Sequence, residues 1–307
     1  MTSFGIAIPQ TVEDNRFDGP TVQSYLRRAE ELGFESAWTQ EHILGDSPVL
    51  APLEILAYAA ACTDRMRLGC AVLISSLYSP VHLAKSLASL DQLSGGRLEV
   101  GLATGGGHRM FAAFGVDPKS FVARFNEGLA LMRSLWTQDR IDHDGRFWQL
   151  TGAAMEPKPI QRPGPPIWFG GAHPRALRRA VVHGDGLFGA GSQSTAQFAE
   201  QVIAVRAELD AAGRDPATFR IAKRVYVAVD DDADRARRRM SDSLHRLYSF
   251  YGRDDLTPAS VTGPPATLAA GLREVVDAGA QLVLLDPLSE DVEQLERLAA
   301  EVVPTLD

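Results

Sequence analysis

The feature that most constrains this chain is a strand, helix, strand pattern between residues 66 and 115. Two apolar runs of strand length, at residues 68–74 and 98–103, flank a segment with leucines at helical spacing: Leu83, Leu87, Leu90 and Leu93. Both runs are almost continuously apolar, which is typical of parallel strands covered on both faces. Ligands of parallel α/β folds bind beyond the carboxyl ends of the strands, so we expect the chemistry of this protein at that edge.

The same alternation of strands and helices continues along the whole chain. Strands are predicted at residues 4–8, 36–39, 68–74, 98–103, 166–171, 186–190, 221–229 and 281–286. This count favours an α/β fold of the (β/α)8 TIM barrel type, formed as a single domain over residues 1–307, with insertions after the fourth and seventh helices. A doubly wound open sheet is the alternative, but such sheets rarely reach eight strands in strict alternation.

Composition and charge argue against several function classes. A net charge of −8 and a pI near 5.4 give no electrostatic reason to expect nucleic acid or an anionic membrane as a partner. The basic run at residues 235–239 directly follows three aspartates, so we interpret it as a solvated helix face rather than a phosphate site. The N-terminus has no leader-like pattern and no apolar run is long enough to span a membrane, so we expect a cytoplasmic protein.

Metal-binding and nucleophile motifs are not visible in the sequence. Cys62 and Cys70 fall on a predicted helix and a predicted buried strand, at a spacing that suggests neither a metal nor a disulfide. The chain has no His-x-His, Cys-x-x-Cys or His-Glu-x-x-His pattern, and no Gly-x-Ser-x-Gly elbow. We therefore predict no metal site.

Glu41 and His42 follow the second predicted strand directly and are the candidate catalytic pair. In a barrel they would project into the mouth formed by the strand ends and loops. A histidine beside a carboxylate is a proton donor or acceptor whose charge the neighbour tunes. The alternative is a surface Glu-His pair in a loop, and the residues alone do not decide between the two.

Glycine-rich turns after the fifth and sixth predicted strands form a candidate anion site. Gly170, Gly171 and Ala172 join a strand to the start of a helix, where free backbone amides attract phosphate. The turn after the next strand includes Gly191 and Ser192 and would complete the same cradle. A glycine turn needed only for close packing explains the pattern equally well.

Several segments, taken together, resemble the bacterial luciferase-like monooxygenase superfamily. They are Trp-Thr-Gln-Glu-His at residues 38–42, Leu-Gly-Cys-Ala-Val-Leu at 68–73, Leu-Ser-Gly-Gly-Arg-Leu-Glu-Val-Gly at 93–101, Phe-Ala-Ala-Phe-Gly at 111–115 and Trp-Phe-Gly-Gly at 168–171. The resemblance covers nearly the whole chain, and its most specific part is the Leu-Ser-Gly-Gly-Arg-Leu element followed by an Ala-Phe-Gly-Val-Asp loop. It implies a (β/α)8 barrel, often a homodimer, that binds reduced FMN or the deazaflavin coenzyme F-420 at the carboxyl ends of its strands.

The resemblance also implies roles for individual residues. Glu41 and His42 match the pair that flanks the cofactor ring, and Ala71 and Val72 match a bulged strand behind it, which in the family often holds a non-proline cis peptide. On spacing alone, residues 69–73 are a plain core strand. The resemblance also implies cofactor contacts in two turns. The ring or ribityl chain would contact Thr104, Gly105, Gly106 and Gly107, and the phosphate would contact Gly170, Gly171 and Ala172.

The leading hypothesis is an oxidoreductase that uses reduced coenzyme F-420 for hydride transfer to or from a small organic substrate. His42 would supply or stabilise the proton, and Glu41 would orient His42 or contact the ring. Asp46 and Gly106 stand where some deazaflavin dehydrogenases carry Trp and Glu, which disfavours a sugar-phosphate dehydrogenase. The first alternative is a monooxygenase that uses reduced FMN and oxygen, and the second is a non-catalytic flavin-binding protein.

Overall fold

A computed structural model of the chain describes residues 2–12, 14, 16–105, 111–249, 252, 256–288 and 292–306. Its strands are β1 Ser3–Ala7, β2 Ser36–Thr39, β3 Arg67–Ile74, β4 Leu98–Ala103, β5 Ile141–Asp144, β6 Gln149–Ala153, β7 Ile167–Gly170, β8 Gly186–Gly189, β9 Arg220–Val229, β10 Ser260–Gly263 and β11 Leu282–Asp286. Its α-helices are α1 Gly19–Glu31, α2 Pro52–Cys62, α3 Pro80–Leu93, α4 Phe121–Thr137, α5 Pro174–His183, α6 Thr195–Ala211, α7 Ala233–Tyr248, α8 Pro265–Asp277 and α9 Val292–Arg297.

Eight parallel strands close into a barrel, in the order β1, β2, β3, β4, β7, β8, β9, β11 and back to β1. The closing pair joins β1 to β11, with Phe4 opposite Val283. The predicted barrel is therefore confirmed. The first insertion forms the antiparallel hairpin β5–β6, and the second contributes β10, which pairs with the outer end of β9 beyond the barrel.

Local sequence signals set where the helices begin. Asp18 caps α1 by accepting a hydrogen bond from Thr21 N at 3.2 Å, and a proline follows in the first turn. Ser194 and Gln197 form a capping box at the start of α6. Asp232 caps α7 through the backbone amides of residues 234 and 235, so the aspartates before the basic run begin the helix that carries it.

The large hydrophobic core lies between the barrel and the surrounding helices, and a smaller cluster fills the barrel interior. In that cluster Trp38 packs edge-on against Trp168, with ring centroids 6.0 Å apart, and Phe188 contacts both rings. Ala222 of β9 belongs to this cluster and therefore points into the barrel. Because side chains alternate along a strand, Arg224 and Tyr226 point inward as well, closer to the carboxyl end of β9. That alternation brings polar groups to the mouth of the barrel.

Element boundaries differ from the prediction by only a few residues. The last predicted helix is the main exception, because α9 ends at Arg297 and continues as a π-helical turn over Leu298–Val302. Among the described residues, no helix combines the length and the apolar character that crossing a membrane requires. Both cysteines are buried and free, and the described part of the chain contains no group of three His, Cys, Asp or Glu side chains arranged to hold a metal ion.

Candidate active site

The carboxyl ends of the barrel strands surround two adjoining cavities. The larger has a volume of about 520 Å³ and is bounded by the ends of β1, β2 and β11 and by one face of α7. The smaller has a volume of about 170 Å³ and lies against β3, β4, β7, β8 and β9. Gln40 and Arg224 line both cavities, so the two meet at these side chains. The larger cavity alone falls within the range of roughly 300–1,000 Å³ typical of small-molecule sites.

Arg224, a buried residue of β9, organises the floor between the two cavities. Its guanidinium lies 3.4 Å from Asp286 Oδ2, and it donates hydrogen bonds to the carbonyl oxygens of Thr39 at 3.0 Å and Ala71 at 3.3 Å. A further hydrogen bond goes to the side-chain oxygen of Gln40. Burial raises the pKa of the Asp286 carboxyl, and the positive guanidinium opposes that rise. Arg224 therefore connects β2, β3, β9 and β11 at the point where the cavities meet.

The Glu41 carboxylate is bound by the end of β3 and the turn that follows it. Its Oε2 accepts a hydrogen bond from Ile74 N at 2.6 Å, and its Oε1 accepts one from the hydroxyl of Tyr78. Burial raises the pKa of Glu41, while these two hydrogen bonds favour the charged carboxylate and limit the rise. This geometry makes Glu41 a support for the β3 terminus. Its predicted role in orienting His42 or contacting a ring stays a prediction.

His42 follows β2 and lies beside Tyr248. Its ring is edge-on to Tyr248, with centroids 6.4 Å apart, and the Tyr248 hydroxyl is hydrogen bonded to that of Tyr226. Both tyrosines line the smaller cavity, whereas His42 is set back from it. Burial lowers the pKa of His42 to about 4, and the positive charge of Arg224 contributes to that lowering. The imidazole is therefore neutral near pH 7, able to accept a proton or to donate a hydrogen bond.

The predicted bulge behind the ring site is present on β3. Cys70 pairs with Val100 and Leu73 with Leu102, so Ala71 and Val72 together oppose the single residue Gly101. The peptide bond between Ala71 and Val72 is cis, as the family resemblance implies. Both residues line the smaller cavity. The prediction of a plain core strand at residues 69–73 is therefore wrong at the bulge.

The two glycine turns predicted to bind an anion meet at the smaller cavity. Gly170, Gly171 and Gly191 line it, whereas Ala172 and Ser192 do not. A Cβ added at Gly170 would lie 2.9 Å from Val72 Cγ2, and one added at Gly191 would lie 2.7 Å from the Tyr226 ring. With glycine at these positions, no side chain separates the backbone from the cavity. A planar, phosphate-bearing cofactor could therefore approach the backbone closely.

Fewer free amides are available at the start of α5 than the sequence suggests. His173 caps this helix, and its Nδ1 accepts the Arg175 amide at 3.2 Å. The carbonyl oxygen of His173 accepts the next amide, that of Ala176, at 2.7 Å. An anion at this turn would therefore be bound by the exposed loop segment at residues 171–173 rather than by the first helical turn.

The turn after β4 is only partly described. Thr104 and Gly105 precede residues 106–110, so the predicted contacts of Gly106 and Gly107 lie outside the described residues. The Thr104 carbonyl oxygen accepts a hydrogen bond from Ser76 Oγ at 2.7 Å, which connects this turn to the one after β3. Gly105 has φ +76°, and a Cβ there would lie 2.6 Å from Ile74 Cγ2, so the turn requires glycine. Ala103, rather than Thr104, lines the smaller cavity.

Lys223 supports the other glycine turn from outside the barrel. Its ammonium group donates hydrogen bonds to the carbonyl oxygens of Ala190 and Gln193, the latter at 2.9 Å. Burial lowers the pKa of Lys223 to about 7, with the adjacent guanidinium of Arg224 adding to the effect. Lys223 thereby fixes the loop that contains Gly191 and Ser192.

Several residues at the mouth were not predicted from the sequence. They are Gln40, Arg224, Tyr226, Tyr248 and Asp286. One signal was available, because Lys223 and Arg224 interrupt an otherwise apolar strand, and charged side chains inside a buried strand need partners. Asp286 at the end of the eighth barrel strand is a natural partner for such an arginine. Tyr226 and Tyr248 carry no comparable signal, since buried tyrosines are common in ordinary cores.

The closed parallel barrel, the bulge on its third strand and the glycine turns at its mouth define a cofactor-binding (β/α)8 architecture. The sequence profile of the luciferase-like monooxygenase family matches residues 2–259. The chain therefore belongs to the luciferase-like monooxygenase family, as the sequence resemblance predicts.

Individual relatives differ in the cofactor that their names specify. The chain is 27% identical over 316 residues to the F420-dependent glucose-6-phosphate dehydrogenase of Kineococcus radiotolerans, covering 93% of this chain and 92% of that protein. It is 31% identical over 159 residues to the oxygenase component of the flavin-dependent trigonelline monooxygenase of Acinetobacter baylyi, covering 51% of this chain and 44% of that protein. A flavin or a deazaflavin is thus supported as the cofactor class.

A solved structure gives the same fold. The monooxygenase RslO1 from Streptomyces bottropensis superimposes with a TM-score of 0.85 at 26% identity, covering 99% of this chain and 100% of that one. The chain spans less than two thirds of the length of several of the curated relatives that it matches.

Proposed function

We propose that this protein is an oxidoreductase that binds reduced coenzyme F-420 at the barrel mouth and transfers hydride to or from a small organic substrate. The observation that carries the proposal is the smaller cavity, whose walls are the β3 bulge and the glycines Gly170, Gly171 and Gly191. When bound, such a cofactor would donate the hydride in its reduced form and accept it in its oxidised form. The relative from Kineococcus radiotolerans, matched over most of both chains, supports the deazaflavin as the first choice.

The chain's own residues hold and orient the reactants. Ala71 and Val72 form one wall for a planar ring, and Arg224 fixes that wall through the Ala71 carbonyl. Glu41 holds the end of the same strand through Ile74 N. The exposed loop at residues 171–173 and the turn at Gly191 and Ser192 would bind the phosphate, with Thr104 and Gly105 beside the ring or side chain.

Proton transfer is assigned to His42 in its neutral form. Because its pKa is about 4, His42 is neutral near pH 7, and its ring keeps a lone pair that can accept the proton of an alcohol substrate. In the reverse direction the same proton would return from the ring to the alkoxide that forms at the substrate oxygen. Tyr248, whose ring contacts that of His42, lines the smaller cavity, and its hydroxyl is hydrogen bonded to that of Tyr226.

A monooxygenase that uses reduced FMN and oxygen is the second candidate. It is favoured by the likeness to the monooxygenase RslO1 over the whole chain. In that reaction the same residues would exclude water from the reacting ring, since Ala71, Val72 and Phe188 give the smaller cavity an apolar wall. A flavin-binding protein without activity is the third, and tight cofactor binding without turnover would favour it.

Fluorescence titration with F-420 and with FMN separates the first two candidates. We expect F-420 to bind at least about tenfold more tightly than FMN, which corresponds to about 1.4 kcal/mol. Gly191→Ala should weaken binding by about tenfold or more, because its Cβ meets the buried Tyr226 ring. Gly128→Ala, on α4, serves as the matched control. Tighter binding of FMN would move the assignment to the second candidate, and no binding of either would reject both.

Three further expectations remain predictions. They are a homodimer, a single domain over residues 1–307, and a cytoplasmic location without nucleic acid or membrane partners. Size-exclusion chromatography with light scattering tests the homodimer directly.

A further inference from the structure

The larger cavity has a charged wall that the cofactor site does not use. We propose that it binds a substrate that carries an anionic end, a carboxylate, sulfonate or phosphate ester, with Arg246 and Arg239 of α7 as the anion-binding residues. This inference rests on the proposed function, because it names the substrate class for that same site. Three kinds of observation carry it: the helix face, the charge of the lining and the arrangement of the two cavities.

One face of α7 points three polar side chains at the cavity. Arg239, Ser243 and Arg246 are four and three residues apart, which places them on a single helical stripe, and all three line the larger cavity. Arg235 and Arg237 of the same basic run do not line this cavity and form surface ion pairs with Asp230 and Asp234. The solvated-face interpretation therefore applies to only part of the run.

The charged lining of the cavity is predominantly positive. Its charged members among the described residues are Arg224, Arg239, Arg246 and Asp286. Asp286 is already the ion partner of Arg224 on the floor. The walls contributed by the ends of β1 and β2 are apolar or neutral, including Ile8, Pro9, Gln10, Thr11, Pro48 and Val49. The α7 wall is thus the positively charged side, where an anion gains most from charge-assisted hydrogen bonds.

Arg246 is held in position at both its backbone and its side chain. Its Nη2 donates a hydrogen bond to Ser243 Oγ at 3.1 Å, and its carbonyl oxygen accepts one from Ser47 Oγ at 2.9 Å. Ser47 belongs to the loop after β2, which also carries His42, so the anion wall and the proposed proton acceptor are connected. Its planar guanidinium has the geometry that suits the two oxygens of a carboxylate or phosphate.

The arrangement of the cavities gives the bound substrate a direction. An anionic end at the α7 wall directs the rest of the molecule inward, towards Gln40 and Arg224, which also line the smaller cavity. The reacting carbon would then face the cofactor, and the charged group would remain at the opposite side of the larger cavity. We therefore expect short substrates with a neutral reactive centre and an anionic terminus.

The test uses the full-length protein loaded with whichever cofactor it binds. Benzoate and phenyl phosphate are the anionic probes, benzamide is the neutral probe, and isothermal titration calorimetry gives the affinities. We expect at least one anion to bind about tenfold or more tightly than benzamide, and Arg246→Gln and Arg239→Gln each to weaken it about tenfold. Arg246→Lys should recover part of the loss, and Arg237→Gln is the control that should change nothing, because it removes only a surface ion pair.

Each contrary result has a distinct meaning. Equal binding of benzoate, phenyl phosphate and benzamide, or undiminished anion binding in folded Arg246→Gln, overturns the proposal. If the arginine variants weaken cofactor binding instead, the arginines bind the anionic tail of the cofactor, and the proposal is also wrong. Repeating the titration without cofactor separates the anion site from the proposed function. If the protein binds neither F-420 nor FMN but still binds an anion through Arg246, the proposed function is rejected and the anion site is retained.

Discussion

The guanidinium of Arg224 donates a hydrogen bond to the carbonyl oxygen of Ala71, with Nη2 and O separated by 3.3 Å. Ala71 is the first residue of the β3 bulge, so one side chain from the seventh barrel strand fixes the wall proposed for the cofactor ring. The same guanidinium pairs with Asp286, which lines the larger cavity. The shape of the smaller site and the electrostatics of the larger one therefore depend on a single buried cation.

Removing Arg224 should destabilise the fold strongly. Arg224→Met leaves Asp286 buried without its partner and several carbonyls without a donor, and we expect a loss of about 3–5 kcal/mol in the free energy of unfolding. The double variant with Asp286→Leu should recover part of it, because both charges are then absent. Urea denaturation of the four proteins in the cycle measures this. A double variant no more stable than Arg224→Met alone would mean that the ion pair is not the dominant contribution.

Gly101 should be indispensable for the bulge. A Cβ at this position would lie 2.0 Å from the carbonyl oxygen of Cys70, a backbone atom that cannot move without displacing β3. Gly101→Ala should therefore cost about 2–4 kcal/mol and weaken cofactor binding. Gly128→Ala, whose Cβ would make an ordinary contact at 3.4 Å with Pro80, should be neutral or stabilising by up to about 1 kcal/mol. Similar melting temperatures for the two variants would contradict this account.

The barrel itself was predictable from sequence because its signals are local. Almost continuously apolar runs such as Leu98–Ala103 mark buried parallel strands, and helices begin where caps such as Asp18 or Ser194 occur. The bulge was predictable only through the family resemblance. Nothing in the run of residues 69–73 indicates that Gly101 on the neighbouring strand opposes two residues instead of one.

The site was only partly predictable, because its polar contacts join residues distant in the chain. Glu41 was identified by its neighbour His42, but its actual partners are Ile74 N and the Tyr78 hydroxyl, more than 30 residues further on. The depressed pKa of His42 arises from burial and from Arg224, which is remote in sequence. Spacing within a segment predicts where a side chain lies, whereas its charge state depends on contacts between segments.

Glu41 and Tyr78 should be energetically coupled. Glu41→Gln replaces a carboxylate that accepts two hydrogen bonds, one of them from a backbone amide, and we expect it to cost about 1–3 kcal/mol. Tyr78→Phe removes one donor and should cost less. If the hydroxyl and the carboxylate act as a unit, the double variant should lose less free energy of unfolding than the two single variants lose together. We expect this difference to be about 1 kcal/mol. Strictly additive losses in thermal or urea denaturation would show that they do not.

The buried His42 should give the protein a specific loss of stability in mild acid. Its folded-state pKa, about 4, lies below the value of about 6.5 expected for the unfolded chain. Between these two values the unfolded chain binds a proton that the folded protein does not, so stability is fully present above about pH 6.5 and falls as the pH is lowered towards 4. The corresponding loss between about pH 7 and pH 5 is on the order of 2 kcal/mol.

His42→Gln removes this titration, so its free energy of unfolding should change less over the same interval than that of the unaltered protein. Urea denaturation of both proteins at several pH values measures the difference. The unaltered enzyme should also keep its activity down to about pH 5, because His42 stays neutral there. Two results would show that the imidazole titrates normally: the same change with pH in the free energy of unfolding of both proteins, or an activity that declines with an apparent pKa near 6.5 in the unaltered enzyme alone. Either result would contradict the assignment of His42 as a neutral proton acceptor.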